Sequence, residues 1–244
     1  MKSIVVIPTY NEKENIKKII PKIANLNLGL DILVVDDNSP DQTAKVVNDL
    51  KSLVEKNGTK IFVLNRKNKK GLGRAYLSGF KWALKKEYKV IIQMDADLSH
   101  NPDYIVKMLE DINEHDLIIG SRYIKGGGTK GWGTIRRLLS RGGSLYAKII
   151  LGSRLNDLTG GFKCWKANLL KSVDLDTISS NGYSFQIEMN FRADKLNAKI
   201  KELPIIFVDR DVGKSKMSKK IIIEAFWKVW ILKLSKKPWL KNKK

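Results

Sequence analysis

Short apolar runs punctuate the first hundred residues. Ser3–Ile7, Asp31–Val35, Lys60–Leu64 and Val90–Met94 are each dominated by aliphatic side chains, the pattern of strands buried on both faces rather than half wet. Between them the apolar period changes to that of a helix. Ile16, Ile19, Ile20 and Ile23 predict a helix from Asn11 to about Ala24, with Asn11 and Glu14 as an N-terminal capping pair. Val46, Val47, Leu50 and Leu53 predict a second helix, and Arg74–Lys85 a third after Gly71-Leu72-Gly73. Pro8 is expected to stop the first strand. Alternation of this kind predicts an α/β fold, a mostly parallel sheet with helices on both faces. Further on, residues 125–145 read as a loop leading into a helix, 181–195 as a helix, and Ile200–Val208 as one strand near a sheet edge. One domain, 1–217, and an appendage, 218–244, describe the chain.

That appendage has its own pattern. From Lys220 onward, Lys220, Glu224 and Lys228 make one polar ridge, while Ile221, Ile222, Ala225, Phe226, Val229, Trp230 and Leu232 fill much of the remaining circumference. A Lys cluster with Trp239 follows. The two expectations are an interfacial helix on an anionic leaflet and a helix that docks on a core or partner.

Charge changes the picture next. With 46 Lys+Arg against 25 Asp+Glu in 244 residues, the formal charge is +21, which points to an anionic partner: nucleic acid, a membrane surface or a phosphorylated substrate. No nucleic-acid-binding motif accompanies the charge, so that class is the remote alternative. Cys164 is the single cysteine, which excludes an internal disulfide and suits a reducing compartment. With only His100 and His115 beside it, any metal must rest mainly on carboxylates. No run of about 18 apolar residues is free of charge, so no segment is expected to span a bilayer.

In parallel sheets, ligands bind outside the carboxyl ends of the strands. Pro8-Thr9-Tyr10, Asp36-Asp37 and Asp95-Ala96-Asp97 all fall there. Hard oxygen donors at strand tips suit Mg²⁺ or Mn²⁺ shared with substrate phosphates, and carboxylates from separate tips are expected to gather around one such ion. Gly71-Leu72-Gly73 lacks the spacing of a phosphate loop and reads as a helix-opening turn, with Lys69 and Lys70 beside it to help hold an anion.

Several stretches in series resemble a known family. Ile7-Pro8-Thr9-Tyr10-Asn11-Glu12, Val34-Val35-Asp36-Asp37-Asn38-Ser39-Pro40-Asp41 and Met94-Asp95-Ala96-Asp97-Leu98-Ser99-His100 resemble inverting family-2 glycosyltransferases of the GT-A fold. Gly120-Ser121-Arg122-Tyr123, Trp132, Arg136-Arg137, Ser140-Arg141, Asp157–Lys163, and Arg210 with Gly213, Ser215 and Lys216 narrow the resemblance to polyprenol-phosphate (dolichol-phosphate) mannose synthases. It covers essentially residues 1–217. It implies transfer of mannose from GDP-mannose to a polyprenyl phosphate, with UDP-glucose or another nucleotide sugar as the alternative donor. By position, Pro8, Tyr10, Glu12, Val35 and Asp37 would contact the nucleotide. Asp95, Ala96 and Asp97 would meet donor and metal, with Asp97 the principal ligand and Ser99 standing where some members carry Gln. Arg122, Arg136 and Arg137 would face the acceptor phosphate, and Arg210 and Lys216 would lie on a loop over the donor phosphates. The implied setting is peripheral, on the cytoplasmic side of a membrane, with a small membrane-embedded subunit as a possible partner.

Two departures stand out: Thr159-Gly160-Gly161-Phe162 replaces the usual Thr-Ser-Gly-Phe, and the C-terminal transmembrane helices of some members have no counterpart in the sequence. The acceptor chemistry has an independent check. Transfer to a hydroxyl needs a general base, and hydroxyl-acceptor relatives usually carry a Glu-Asp pair for it; beyond Asp97 the sequence has one such dipeptide, Glu110-Asp111, and the motifs that carry the resemblance do not include it. A phosphate monoester, with its second pKa about 6, is already largely dianionic at neutral pH. It needs orientation and charge compensation, which arginines supply as bidentate donors.

Overall fold

The computed structural model describes residues 1–55, 58–209 and 219–235. In chain order the elements are β1 (Ser3–Thr9), α1 (Lys13–Ala24), β2 (Asp31–Asp36), α2 (Thr43–Val54), β3 (Ile61–Asn65), α3 (Leu72–Lys85), β4 (Val90–Gln93), α4 (Tyr104–Asp111), β5 (Leu117–Ser121), β6 (Gly128–Lys130), α5 (Thr134–Leu151), β7 (Lys163–Lys166), α6 (Ala167–Ser172), α7 (Gly182–Lys195), β8 (Ile200–Pro204), β9 (Ile206–Val208) and α8 (Lys219–Leu234).

Seven strands form one sheet in the order β3-β2-β1-β4-β7-β5-β8, and β6 and β9 form a small parallel pair. Within the main sheet only β7 runs against the rest, pairing antiparallel with both β4 and β5. The uniform apolarity of β1 has its reason here: Ile4 and Val6 enter the core under α3 and α7, Val5 and Ile7 the core under α1 and α4, and all four are fully buried. Each such side chain contributes roughly 1.5–3 kcal/mol of transfer free energy.

Three expectations need correction. β1 runs through Pro8 to Thr9. Its pairing with β4 ends at Val6↔Gln93, so the N–H that proline lacks is not needed on that side. The helix that was to be capped by Asn11 and Glu14 instead starts at Lys13 with no side-chain cap of its own. The amides leading into it are satisfied from the loop after β2 and the start of α2: Asn11 N–H donates to Ser39 Oγ (3.0 Å), Glu12 N–H to Thr43 Oγ1 (3.2 Å) and Lys13 N–H to Asp41 Oδ2 (3.0 Å). Third, the strand expected over Ile200–Val208 breaks at Ile205, giving β8 to the sheet edge and β9 to the small sheet.

Among the described residues no helix is long and apolar enough to cross a membrane.

Candidate active site

The ends of β1, β2 and β4 lie side by side, with Pro8 in register with Val35 and Thr9 with Asp36. Asp36 is committed to the backbone framework: its carboxylate accepts from Thr9 Oγ1 (2.8 Å) and from Ser39 N–H and Oγ (2.9 and 2.6 Å). Asp37 is buried and paired with Arg66 Nη1 at 2.7 Å. Burial raises the Asp37 carboxyl above its ordinary range against the opposing pull of Arg66. Beside them Lys69 Nζ sits 3.8 Å from the Tyr10 ring centroid, placing a cation at the same rim.

The acidic centre follows β4. Tyr76, fully buried on α3, donates its phenol to Asp95 Oδ1 at 2.6 Å. The Asp95 amide donates to His100 Nδ1 at 3.3 Å, so that nitrogen is unprotonated, and burial lowers the His100 pKa below its ordinary value. His100 stacks on Phe162 at 5.0 Å, the packing role its position before Asn101-Pro102 suggests. Asp97 Oδ1 accepts from the Ser99 amide (3.2 Å) across Leu98, which holds a left-handed φ of 61°. A non-glycine residue in that region carries strain that the surrounding structure must hold in place.

The Ser99 hydroxyl is buried and has no hydrogen-bond partner among the described residues. An orphaned buried oxygen one residue beyond a bent carboxylate turn fits a hard cation, as do Asp95 and Asp97 themselves. No group of three or more His, Cys, Asp or Glu side chains able to hold a metal occurs among the described residues. The expectation that Asp37 joins Asp95 and Asp97 around one ion is thereby corrected: Arg66 already neutralises Asp37, and the candidate metal donors narrow to the 95–99 turn.

Against this turn lies the segment Asp157–Phe162. A Cβ on Gly161 would stand 3.4 Å from Asp95 Oδ2 and 3.5 Å from His100 Cε1, so backbone closes directly over the acidic centre. On Gly160, a Cβ would meet the Gly120 carbonyl at 3.1 Å, tighter than ordinary contact. That crowding gives the glycine in place of serine a packing reason.

The arginines are less simply placed than their sequence suggests. Arg122 is buried; its Nε and Nη2 donate to the two oxygens of Asp157 (2.7 and 2.8 Å), and Nη2 also reaches Thr159 Oγ1 (2.8 Å). Burial opposes both charges, but their mutual attraction lowers the Asp157 pKa and raises that of Arg122. Nη1 makes no hydrogen bond among the described residues, so only that edge remains for an anion. Arg136 Nη1 bonds both oxygens of Asp209 (2.9 and 2.8 Å) and its guanidinium lies 4.3 Å from the Trp132 ring. Arg137 Nη2 reaches the Trp132 carbonyl at 3.3 Å. Trp132 itself is buried, with an indole N–H that finds no partner among the described residues. Phe207 joins the two halves, 5.3 Å from the His100 ring and 5.3 Å from the Trp132 ring. Val208 N–H bonds the Ser99 carbonyl at 3.2 Å, tying β9 to the acidic turn. Arg210 and Lys216 lie outside the described residues. Of the donor set, Pro8, Val35 and Ala96 are buried, while Tyr10 and Glu12 are half-buried.

Sequence reasoning missed Tyr76, Arg66, Asp209 and the pair Lys163–Gln186. Lys163 is fully buried and donates to Gln186 Oε1 at 2.7 Å, where Gln93 Nε2 also donates (2.7 Å). Burial lowers its pKa to about 7 despite the nearby charges of Asp157 and Asp95. A lysine set directly between the apolar pair Phe162 and Cys164 was the available signal.

Residues 4–173 match the family described as Glycosyl transferase family 2. An undecaprenyl-phosphate mannosyltransferase of Micrococcus luteus is 43% identical over 225 residues, 92% of this chain and 91% of that protein. A polyprenol monophosphomannose synthase of Mycolicibacterium smegmatis is 39% identical over 229 residues, 93% of this chain and 85% of that protein. Among solved structures, glucosyl-3-phosphoglycerate synthase from Mycobacterium tuberculosis, in complex with Mn²⁺, UDP and its product, superposes with a TM-score of 0.66 at 17% identity. That match covers 95% of this chain and 79% of the other. The same synthase with Mg²⁺ and UDP gives a TM-score of 0.66, also at 17% identity over 95% and 79% of the two chains. These structures bear out the GT-A architecture.

Proposed function

The chain belongs to glycosyl transferase family 2, and from that premise we propose that it moves mannose from GDP-mannose onto a polyprenyl phosphate, with inversion at the sugar carbon. Its relatives' names give the lipid phosphate and the mannose; GDP as the carrier follows from the resemblance of the strand-end motifs. The observation that carries the acceptor class is the commitment of the neighbouring carboxylates. Asp157 is bound to Arg122 and Asp209 to Arg136, while the one lone pair that His100 could offer a proton is already engaged, Nδ1 accepting from the Asp95 amide, and burial lowers its basicity. None of these three is set up as a base, whereas the buried indole N–H of Trp132 and the guanidiniums beside it suit an acceptor that arrives ionised.

In this reading Pro8, Tyr10, Glu12, Val35, Asp37 and Ala96 line the nucleotide site. Asp97, Asp95 and Ser99 would hold Mg²⁺ or Mn²⁺, which supplies charge neutralisation for the departing diphosphate. Tyr76 fixes the Asp95 rotamer, and Gly161 lets the backbone approach its other oxygen. Arg122, through Nη1, with Arg136 and Arg137 steers the acceptor phosphate. Arg210 and Lys216 complete the donor side. The enzyme would work peripherally at an anionic membrane surface on the cytoplasmic side, its segment 218–244 meeting lipid or a small membrane-embedded subunit.

The test is side-by-side turnover of radiolabelled GDP-mannose and UDP-glucose with a polyprenyl phosphate, with and without EDTA. Mannose transfer abolished by EDTA is expected. Exclusive use of UDP-glucose would remove mannose, and transfer unaffected by EDTA would remove the metal.

A further inference from the structure

Three buried polar side chains are left without a task by the transfer reaction. Gln93 closes β4, Lys163 opens β7, and the antiparallel register sets the two opposite one another. Gln186 reaches both from α7 and is only 3% exposed. Enclosing two amides and a lysine costs free energy that an apolar trio would not. Gln186 Oε1 accepts from Lys163 Nζ and from Gln93 Nε2, both at 2.7 Å. A charged lysine can only donate, so the amide oxygen must face it, and the two bonds use both lone pairs of that oxygen. The orientation of the Gln186 carboxamide is thereby fixed. Its Nε2 has no hydrogen-bond partner among the described residues.

That nitrogen faces Gly161 and the acidic turn. The point where a Cβ of residue 161 would stand lies 3.5 Å from Gln186 Nε2, 3.4 Å from Asp95 Oδ2 and 3.5 Å from His100 Cε1. These are the nearest atoms outside residues 160–162, all at ordinary van der Waals distance, so glycine leaves a niche there with room for a heavy atom. On one side stands an amide donor held from behind. On the other stands a carboxylate oxygen whose companion, Oδ1, is already taken by Tyr76.

We propose that Gln186 reads a hydroxyl group of the transferred hexose at this niche, with Lys163 and Gln93 as the positioning residues that hold its amide. The chemistry selects the ligand. A hydroxyl accepts one hydrogen bond while donating another, so Nε2–H and Asp95 Oδ2 complement it from two sides. A phosphate oxygen has no proton to offer Asp95 and would meet its charge directly, which excludes the lipid headgroup from this point. A carboxylate oxygen has lone pairs for a metal ion and a hydroxyl together, so the metal role of Asp95 is not displaced. This role rests on the sugar-transfer reading and deepens it, giving the sugar ring a partner of its own. A buried amide that loses its hydroxyl is left unpaired, and a polar site of this kind rejects a deoxygenated sugar more sharply than an apolar one does.

The experiment measures kcat/KM of wild type and variants on the nucleotide hexose that the wild type transfers, and on the full set of its singly deoxygenated analogues. Gln186→Glu keeps the size and both bonds from Lys163 and Gln93 but replaces the donor N–H by an acceptor oxygen. For one analogue, the penalty seen in the wild type should shrink by about tenfold in this variant, while the other penalties stay within about twofold. Gly161→Ala meets only ordinary contacts and fills the niche, so it should slow the parent sugar by about tenfold or more and spare that same analogue. Lys163→Met does not touch the sugar and should lose part of the same discrimination. All three should keep the circular dichroism of the wild type. Penalties equal in wild type and Gln186→Glu for every analogue would overturn the proposal. So would a loss confined to KM for the lipid phosphate, which would move Gln186 to the acceptor. Full discrimination by Lys163→Met would remove its positioning role. Donor identity is settled separately, by which nucleotide sugar the wild type turns over, so failure of GDP-mannose changes the sugar and leaves this comparison intact.

Discussion

Replacing Lys163 with methionine should flatten the dependence of stability on pH. The ammonium is fully enclosed, with Gln186 Oε1 as its hydrogen-bond partner. Burial lowers its pKa from 10.5 to about 7. Between those values the unfolded chain holds a proton that the folded chain has released. Stability of the wild type therefore rises as pH climbs from about 7 toward 10.5. Below the folded pKa both states are protonated, and the full cost of enclosing the charge is present. At ~1.36 kcal/mol per pH unit for one proton, half effective at the folded pKa, the gain from about pH 7 to about pH 9 is roughly 2 kcal/mol. Methionine fills similar space without a charge and leaves Gln186 its bond from Gln93. Urea unfolding of both proteins across that range, followed by tryptophan fluorescence, isolates the contribution as the difference between the two curves. Parallel curves would show that Lys163 does not titrate there and that its enclosure has been misjudged.

Other consequences follow from single contacts. Tyr76→Phe removes a bond to a carboxylate, so Mn²⁺ affinity measured by calorimetry, together with turnover, should fall by about tenfold or more; unaltered metal affinity would mean that the phenol does not position Asp95. Asp157→Ala leaves Arg122 buried without its partner and should lower unfolding free energy by roughly 3–5 kcal/mol in denaturant titration; a loss under about 1 kcal/mol would contradict the buried pair. Trp132→Phe keeps the ring but deletes the unpartnered N–H, so KM for the lipid phosphate should rise by about fivefold or more while KM for the nucleotide sugar stays put; a shift confined to the donor would move Trp132 to the other side of the site.

The parts that sequence displayed are those set by local pattern. β1, β2 and β4 are uninterrupted aliphatic runs because they are covered on both faces, and the Asp motifs follow directly where those runs end. β7 stayed hidden because Lys163-Cys164-Trp165-Lys166 is four residues long with a lysine at each end, and nothing local says that Lys163 is buried or that the strand inserts between β4 and β5. The capping of α1 came from Ser39, Asp41 and Thr43, some thirty residues away, so a search within the helix itself found the wrong pair. Tyr76 and Asp95, or Arg136 and Asp209, meet only through the folded sheet. Residue type marked the arginines as anion donors, but only the structure shows that Asp157 and Asp209 already hold two of them.

The most direct measurement is single-turnover mannose transfer by Asp97→Ala with saturating Mn²⁺, GDP-mannose and polyprenyl phosphate. An acidic turn that neutralises the departing diphosphate predicts a loss of about a thousandfold or more, several kcal/mol of barrier, in a protein whose circular dichroism and melting are those of the wild type. Transfer within about threefold of wild type would contradict it, for a threefold change is less than 1 kcal/mol.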